Sequence, residues 1–445
     1  MKNIYINGVM LDRSQILLRH LAENFHVIGD GLAPLQNEAG LTVSDPFLLA
    51  GALSPEEATK LEESITLETR VLADQLMKDV RAVDLGPEGH WSLPDSYISN
   101  NLRPKVARLL KTEAHFKMVH ARCPIDMLIS GADYGSHARV MARVARQLGI
   151  PTLNLEHGFF FNQIRWEFYR VKRHMPMFFA SEYVNLDSSM EVELFEELLA
   201  NFPDQGTKFL GLGTPVDTVV GQGFTSEEAR QKLGISSTSK VVTLVCRWIE
   251  SHSISCLIRG QVNTIDIFED IFRSLAADDF HHDLELLIKL HPAEARPDVM
   301  PGVKACLENM ARKFGLPEPR VFGDQLPEVM TAADVVTSIG FSSVLFDAFQ
   351  MGKATVVLTP PFLVPSKKTE WRTRGNIPLA AGVMEIANDG PDLWHKVAAW
   401  LEPGRQEKLA HDVAGLKDKY GLHYRSVEEK CENIVKWIKD FEEQE

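Results

Sequence analysis

The stretch Cys123–Gly158, CPIDMLISGADYGSHARVMARVARQLGIPTLNLEHG, constrains the fold of this chain more than any other. Asp126–Ser130 reads as a buried strand, Gly131–Gly135 as a polar turn, and Ser136–Leu148 as a helix with Val140, Val144 and Leu148 at helical spacing. Gly149 then stops the helix, and Ile150–Leu155 follows as a second strand. A strand, a crossover helix and a strand imply a parallel sheet, whose ligand-binding loops lie outside the carboxyl ends of its strands.

The remainder repeats this alternation. Asn3–Val9 reads as a strand and Ser14–Glu23 as a helix with Ile16, Leu17, Leu18 and Leu21 on one side. From about Leu53 to Lys117 the pattern is helical, which predicts an insertion packed on the sheet. KFLGLGTPVDTVV, Lys208–Val220, is a strand that runs into Gly and Pro and reads as an interdomain connection. Beyond it, Lys240–Cys246, Leu284–Leu290, Val335–Thr337 and Ala354–Leu358 are short apolar strands separated by helices such as Thr264–Leu275 and Val303–Lys313. The last helix, about Val427–Phe441, turns Cys431, Ile434, Val435, Ile438 and Phe441 inward. A chain of 445 residues exceeds one ordinary core. The expected architecture is α/β, with two Rossmann-like domains facing a cleft: 1–212 with a helical insertion at about 53–117, then 213–425, then an amphipathic helix at 426–445.

Composition narrows the partners. Hydrophobic residues at 44% and charged ones at 24% give the balance of a globular protein. A formal charge of -14 argues against a nucleic-acid partner, since phosphate neutralisation needs clustered Lys and Arg. Five cysteines without a CxxC pair fit a reducing cytoplasm. The start, MKNIYINGVMLDRSQ, is unlike a signal peptide, and no run approaches the roughly 18 apolar residues of a membrane span. The expected location is cytoplasmic, with at most peripheral membrane contact.

Four places could carry chemistry. Glu156–His157–Gly158 follows a strand end, where Glu156 or His157 could act as a general base or bind a sugar hydroxyl, or could simply bond within the loop. In LIKLHPAE, Leu287–Glu294, Pro292 blocks the strand after His291, leaving the imidazole at a strand terminus where it can donate to a phosphate or sugar oxygen; Lys289 alternates with it and could share its face. An ordinary turn is the plainer reading of His291–Pro292. In TSIGFSSVLFDAFQMGKATVVL, Thr337–Leu358, Gly340 permits a tight turn and Ser342 or Ser343 begins a helix with Val344, Leu345, Ala348 and Phe349 packed inward. One serine suffices as an N-cap, worth about 0.5–2 kcal/mol. Ser338, Gly340 and a second serine exceed that need and suit a phosphate held by free N–H groups. PSKKTEWRTRGN, Pro365–Asn376, supplies Lys367, Lys368, Arg372 and Arg374 for an anionic ligand or for water alone, and Glu370 could accept from ribose hydroxyls. Arg139, Arg143 and Arg146 read as a solvated stripe. HExxH, a DxD pair, GxSxG and GxGxxG are missing, so a metal-independent reaction is expected, with no cofactor.

The order of Glu156–His157–Gly158, His291–Pro292 and Ser342–Ser343 resembles nucleotide-sugar glycosyltransferases of the GT-B architecture, including the bacterial capsule and teichoic-acid group. FSSVLFDAFQMGKATVVL looks like a segment of the CDP-glycerol glycerophosphotransferases, and HP with paired serines is similar to bacterial sialyl- and polysialyltransferases with CMP donors. The resemblance implies a CMP- or UDP-linked sugar donor as substrate and a cell-surface glycan, lipid-linked or protein acceptor. It assigns the donor to His291, Pro292, Lys289, Gly340, Ser342, Ser343 and Glu370, and acceptor deprotonation to Glu156 or His157. The stretch from Ile125 to Gly158 is also similar to non-hydrolysing UDP-N-acetylglucosamine 2-epimerases, and KFLGLGTPVDTVV to their domain junction. Those enzymes are expected to carry a Gly–x–Arg–Pro–Glu turn after the first strand, where this chain reads INGVMLDRSQ. A non-catalytic nucleotide- or glycan-binding protein of the same fold is a third reading.

Overall fold

The computed structural model describes residues 1–7, 15–29, 41–46, 53–82, 103–131, 136–155, 180–199, 206–215, 223–246, 264–277, 282–292, 294–340, 342, 344–358, 382–420 and 422–441. The first sheet contains β1 (Asn3–Asn7), β2 (His26–Gly29), β3 (Val43–Ser44), β4 (Met127–Ser130), β5 (Thr152–Leu155), β6 (Tyr183–Asn185) and β7 (Lys208–Leu210). Its order is β3-β2-β1-β4-β5-β6-β7, parallel throughout. Helices α1 (Gln15–Asn24), α2 (Pro55–Ala82), α3 (Arg103–Arg122), α4 (Ser136–Gln147) and α5 (Ser189–Leu199) accompany it.

The second sheet contains β8 (Lys240–Val245), β9 (Leu284–Lys289), β10 (Arg320–Phe322), β11 (Val335–Ile339), β12 (Ala354–Leu358) and β13 (Met384–Ala387). Its order is β10-β9-β8-β11-β12-β13, again parallel. With it run α6 (Ser226–Leu233), α7 (Thr264–Ala276), α8 (Met300–Lys313), α9 (Leu326–Ala332), α10 (Val344–Gln350), α11 (Gly390–Trp400) and α12 (Arg405–Tyr420). Every residue of β4, β5, β11 and β12 is buried, as expected of strands covered on both faces. Among the described residues no helix is long and apolar enough to cross a membrane.

The crossover at 126–155 forms as its sequence dictates, with one correction. Gly149 takes φ +72, and the helix stops at Gln147, so Leu148 falls past the last turn and is 42% exposed instead of packing inward. In the Arg stripe, Arg143 is exposed, while Arg146 donates to the Ala180 carbonyl at 3.3 Å. The helical insertion is the pair α2 and α3, of which α3 buries Phe116 and Val119 against Tyr5, Leu128 and Met141.

The final helix, α13 (Val427–Asp440), starts where Ser426 accepts the Glu429 N–H at 3.1 Å. Its Cys431, Ile434, Val435 and Ile438, with Phe441 beyond it, join the first sheet's core beside Ile4, Leu17, Leu21 and Val27. The residues just before it, including Trp394, Val397, Leu409 and Leu422, belong to the second sheet's core. The chain therefore crosses back, and polar contacts fasten the crossing. Arg425 donates to the carbonyls of Gly211 (3.4 Å) and Leu212 (3.3 Å) and to that of Asp187. Lys430 Nζ lies 2.9 Å from Asp187 Oδ1, which also accepts the Thr214 N–H at 3.0 Å. Gly213, with φ +103, lies so close that a Cβ there would meet Lys430 Cγ at 2.5 Å. From the other side, Gln350 Nε2 donates to the Leu422 carbonyl at 2.8 Å.

Candidate functional site

Register places the candidate residues of the second sheet. Lys289 of β9 is level with Val245 of β8, and Val245 with Ser338 of β11. His291 and Gly340 each lie two residues beyond that row, so they leave the same carboxyl edge on either side of β8. Adjacent strands are about 4.8 Å apart, which separates the two exits by about 10 Å. This is also where the strand order reverses, with β9 on one side of β8 and β11 on the other. At such a switch point successive crossovers cover opposite faces and leave a crevice.

On the β9 side the main chain turns back at once. The His291 carbonyl accepts the N–H groups of Glu294 (2.8 Å) and Ala295 (3.0 Å), and the His291 N–H donates to Glu294 Oε2 at 3.4 Å. His291 is half-buried and Pro292 exposed. Lys289 is 6% exposed, and its Nζ donates to the carbonyls of Leu290 and Gly323, both at 2.7 Å. Burial lowers its pKa, with Asp324 acting the other way. Two of its three donors thus bind main chain, and its ammonium ties the ends of β9 and β10 together.

At the tip of β8, Cys246 is buried and donates its N–H to the Lys289 carbonyl at 2.8 Å. Burial pushes its thiol far up, and the Glu294 carboxylate adds to the shift. Burial likewise holds the Glu294 carboxyl above the usual carboxylate range, opposed by the His291 N–H. Both groups escaped the sequence reading. Glu294 had a signal, its place three residues after His291 in a turn, the spacing of a reciprocal cap.

On the β11 side the strand extends to Ile339, past the expected end at Thr337. Ser338 is therefore a buried strand residue whose Oγ donates to the Gly340 carbonyl at 2.9 Å, and its hydroxyl does not join a phosphate cradle. Gly340 turns the chain with φ +76 while its N–H donates to Leu358 O at 2.8 Å. The described helix runs from Val344, and the half-buried Ser342 precedes it without joining it, its carbonyl accepting the Leu345 N–H at 3.1 Å. Ser343, Glu156, His157, Glu370 and the cations Lys367, Lys368, Arg372 and Arg374 lie outside the described residues.

The first sheet's carboxyl edge has its own polar row: Asn7, Ser130 and Asn154 are level across β1, β4 and β5, at that sheet's order reversal. Ser130 is 1% exposed, with no hydrogen-bond partner for its Oγ among the described residues.

No family model matches the chain, and no curated protein matches it. Solved structures do. UDP-GlcNAc 2-epimerase from Neisseria meningitidis bound to UDP-GlcNAc is similar at TM-score 0.50 and 13% identity, over 99% of this chain and 100% of that one. S. aureus MnaA with UDP is similar at TM-score 0.51 and 13% identity, over 100% of this chain and 97% of that one. The wall teichoic acid polymerase TagF superposes more loosely, at TM-score 0.45 and 11% identity, too low to bear on function. With two parallel sheets, each with a reversal of strand order, and a last helix that returns to the first core, the chain has the GT-B fold.

Proposed function

We propose that this protein transfers a sugar from a nucleotide donor, CMP-linked by preference and UDP-linked next, to a glycan, lipid-linked or protein acceptor of the cell envelope, without a metal ion. The observation that carries the reading is the row Lys289–Val245–Ser338, which brings His291 and the Gly340–Ser342 turn out on either side of one strand at a switch point. In this reading His291 donates to a phosphate or sugar oxygen of the donor, and the Gly340–Ser342 turn holds the nucleotide. Glu156 or His157 takes the proton of the acceptor hydroxyl as its oxygen bonds to the anomeric carbon. The bond from that carbon to the phosphate oxygen breaks, and the nucleotide leaves with the electron pair. Hydrogen bonds aimed at the leaving phosphate stabilise the charge that grows there.

Thermal shift with CMP, CDP, UDP and GDP tests the pocket, because a ligand that binds the native state raises its stability. His291→Ala is expected to weaken the nucleotide that shifts wild type by about tenfold or more, the loss of one hydrogen bond to a charged group. Wild-type affinity in that variant, or no shift with any of the four, overturns the assignment.

A 2-epimerase reading is favoured by the superposing UDP-GlcNAc 2-epimerase from Neisseria meningitidis. Against it stands the chain after β1, which reads Asn7-Gly8-Val9-Met10 in place of a Gly–x–Arg–Pro–Glu turn. NMR of the products from UDP-N-acetylglucosamine decides: a C2-inverted sugar formed without acceptor defeats transfer. Turnover that depends on Glu156 or His157 excludes a binding protein without catalysis.

A further inference from the structure

We propose that Glu294 is a positioning residue for His291, holding its main chain so that the imidazole faces the crevice beside β8; this rests on the nucleotide pocket proposed above. The geometry is reciprocal. The Glu294 carboxylate accepts the His291 N–H at 3.4 Å while the His291 carbonyl accepts the Glu294 and Ala295 N–H groups at 2.8 and 3.0 Å. Both main-chain polar groups of His291 are thereby tied to Glu294 and Ala295, and Pro292, directly after His291, has its φ fixed by its ring.

An internal comparison separates this arrangement from ordinary capping. Glu228 likewise accepts the Thr225 N–H at the start of α6, at 2.8 Å, but its own N–H goes to the Thr225 hydroxyl at 3.2 Å as in a capping box, whereas the Glu294 N–H goes to the His291 carbonyl. There the carboxylate is exposed, and its hydrogen bonds to Thr225 hold its pKa below the usual range. Glu294 is instead drawn in over the tip of β8, close enough to Cys246 to raise the thiol's pKa, and burial raises its own. Burying a carboxylate costs free energy that a solvated cap avoids. Glu294, half-buried where Glu228 is exposed, carries that cost at the exit of β9, in contact with the His291 main chain. Cys246 lies beside it, and Lys289 fixes the Leu290 carbonyl immediately before His291.

The test uses the full chain with 15N-labelled histidine, the His291 imidazole signals being assigned by their loss in His291→Ala. Glu294→Ala is expected to move those signals and to weaken CMP binding by about tenfold, whereas Glu294→Gln, whose amide oxygen still accepts, stays within about twofold. Thermal unfolding midpoints near wild type show that both variants fold. Should Glu294→Ala not fold, Glu294→Asp, one methylene too short to reach the His291 N–H, takes its place. Unmoved His291 signals in the truncated variant, or equal losses in Glu294→Ala and Glu294→Gln, overturn the proposal. If wild type binds no nucleotide, the pocket reading fails separately, and the His291 signals alone decide the role of Glu294.

Discussion

Asp187→Ala probes the crossing of the C-terminal segment. The Lys430 side chain is 5% exposed and the Asp187 side chain 14%, so the pair at 2.9 Å is largely out of water. Removing the carboxylate leaves a buried ammonium unpaired and deprives the Thr214 N–H of its acceptor. Breaking such a pair from one side costs about 3–5 kcal/mol. Lys430→Met keeps the stem volume and discards the charge, so the double variant Asp187→Ala/Lys430→Met is expected to be more stable than Asp187→Ala by about 2 kcal/mol or more. Urea unfolding followed by tryptophan fluorescence measures the cycle, since Trp437 lies in α13 against Tyr183. Hydrogen exchange across 427–440 shows whether the helix detaches first. A cost below about 1 kcal/mol for Asp187→Ala, or no recovery in the double variant, would refute the reasoning.

Gly213→Ala is expected to destabilise by about 1–3 kcal/mol from backbone strain alone, with more from the collision against Lys430, and to lower the unfolding midpoint; a midpoint equal to wild type speaks against the contact. Lys353 is expected to give a pH signature. Burial brings its pKa from 10.5 down to about 8, so between those values the unfolded chain binds the extra proton and stability rises with pH. Denaturation at intervals across that window should show a steeper rise in wild type than in Lys353→Met, and parallel curves would exclude the group. The loss of nucleotide affinity in His291→Ala and the Glu294 series complete the set.

The sequence exposed the parts of this fold that are locally consistent. The crossover at 126–155 was readable because buried strands, helical spacing and Gly149 agree, and Gly149 does adopt the left-handed conformation. The edge strands β3 and β10 were not: with two and three residues neither carries a periodicity of its own, whereas β7, also three residues, is marked by the Gly and Pro that follow it. Hydroxyls misled in β11, where Ser338 looks like turn chemistry and is instead buried by a hydrogen bond to Gly340, two residues away. Among the candidate residues, His291 is singled out by the proline that follows it, a local signal. The partners of Lys289 are carbonyls at 290 and 323, and the second lies on another strand's exit, which no spacing along the chain reveals. Alternation alone made Lys289 look available for a ligand. The row across β9, β8 and β11 is likewise a property of strand order, and strand order is fixed by crossover handedness and packing over long separations.

The returning helix also governs when the molecule can become whole. Lys2 reaches the Ile438 carbonyl, and Leu21 shares its core with Ile434, so the first sheet stays open on that side until residues 427–441 have been made. At about 5–20 residues per second, a nascent chain carries that uncovered apolar surface for tens of seconds, while the second sheet is still being synthesised. A chaperone that shields α1 during translation would have its binding site erased once α13 docks on it.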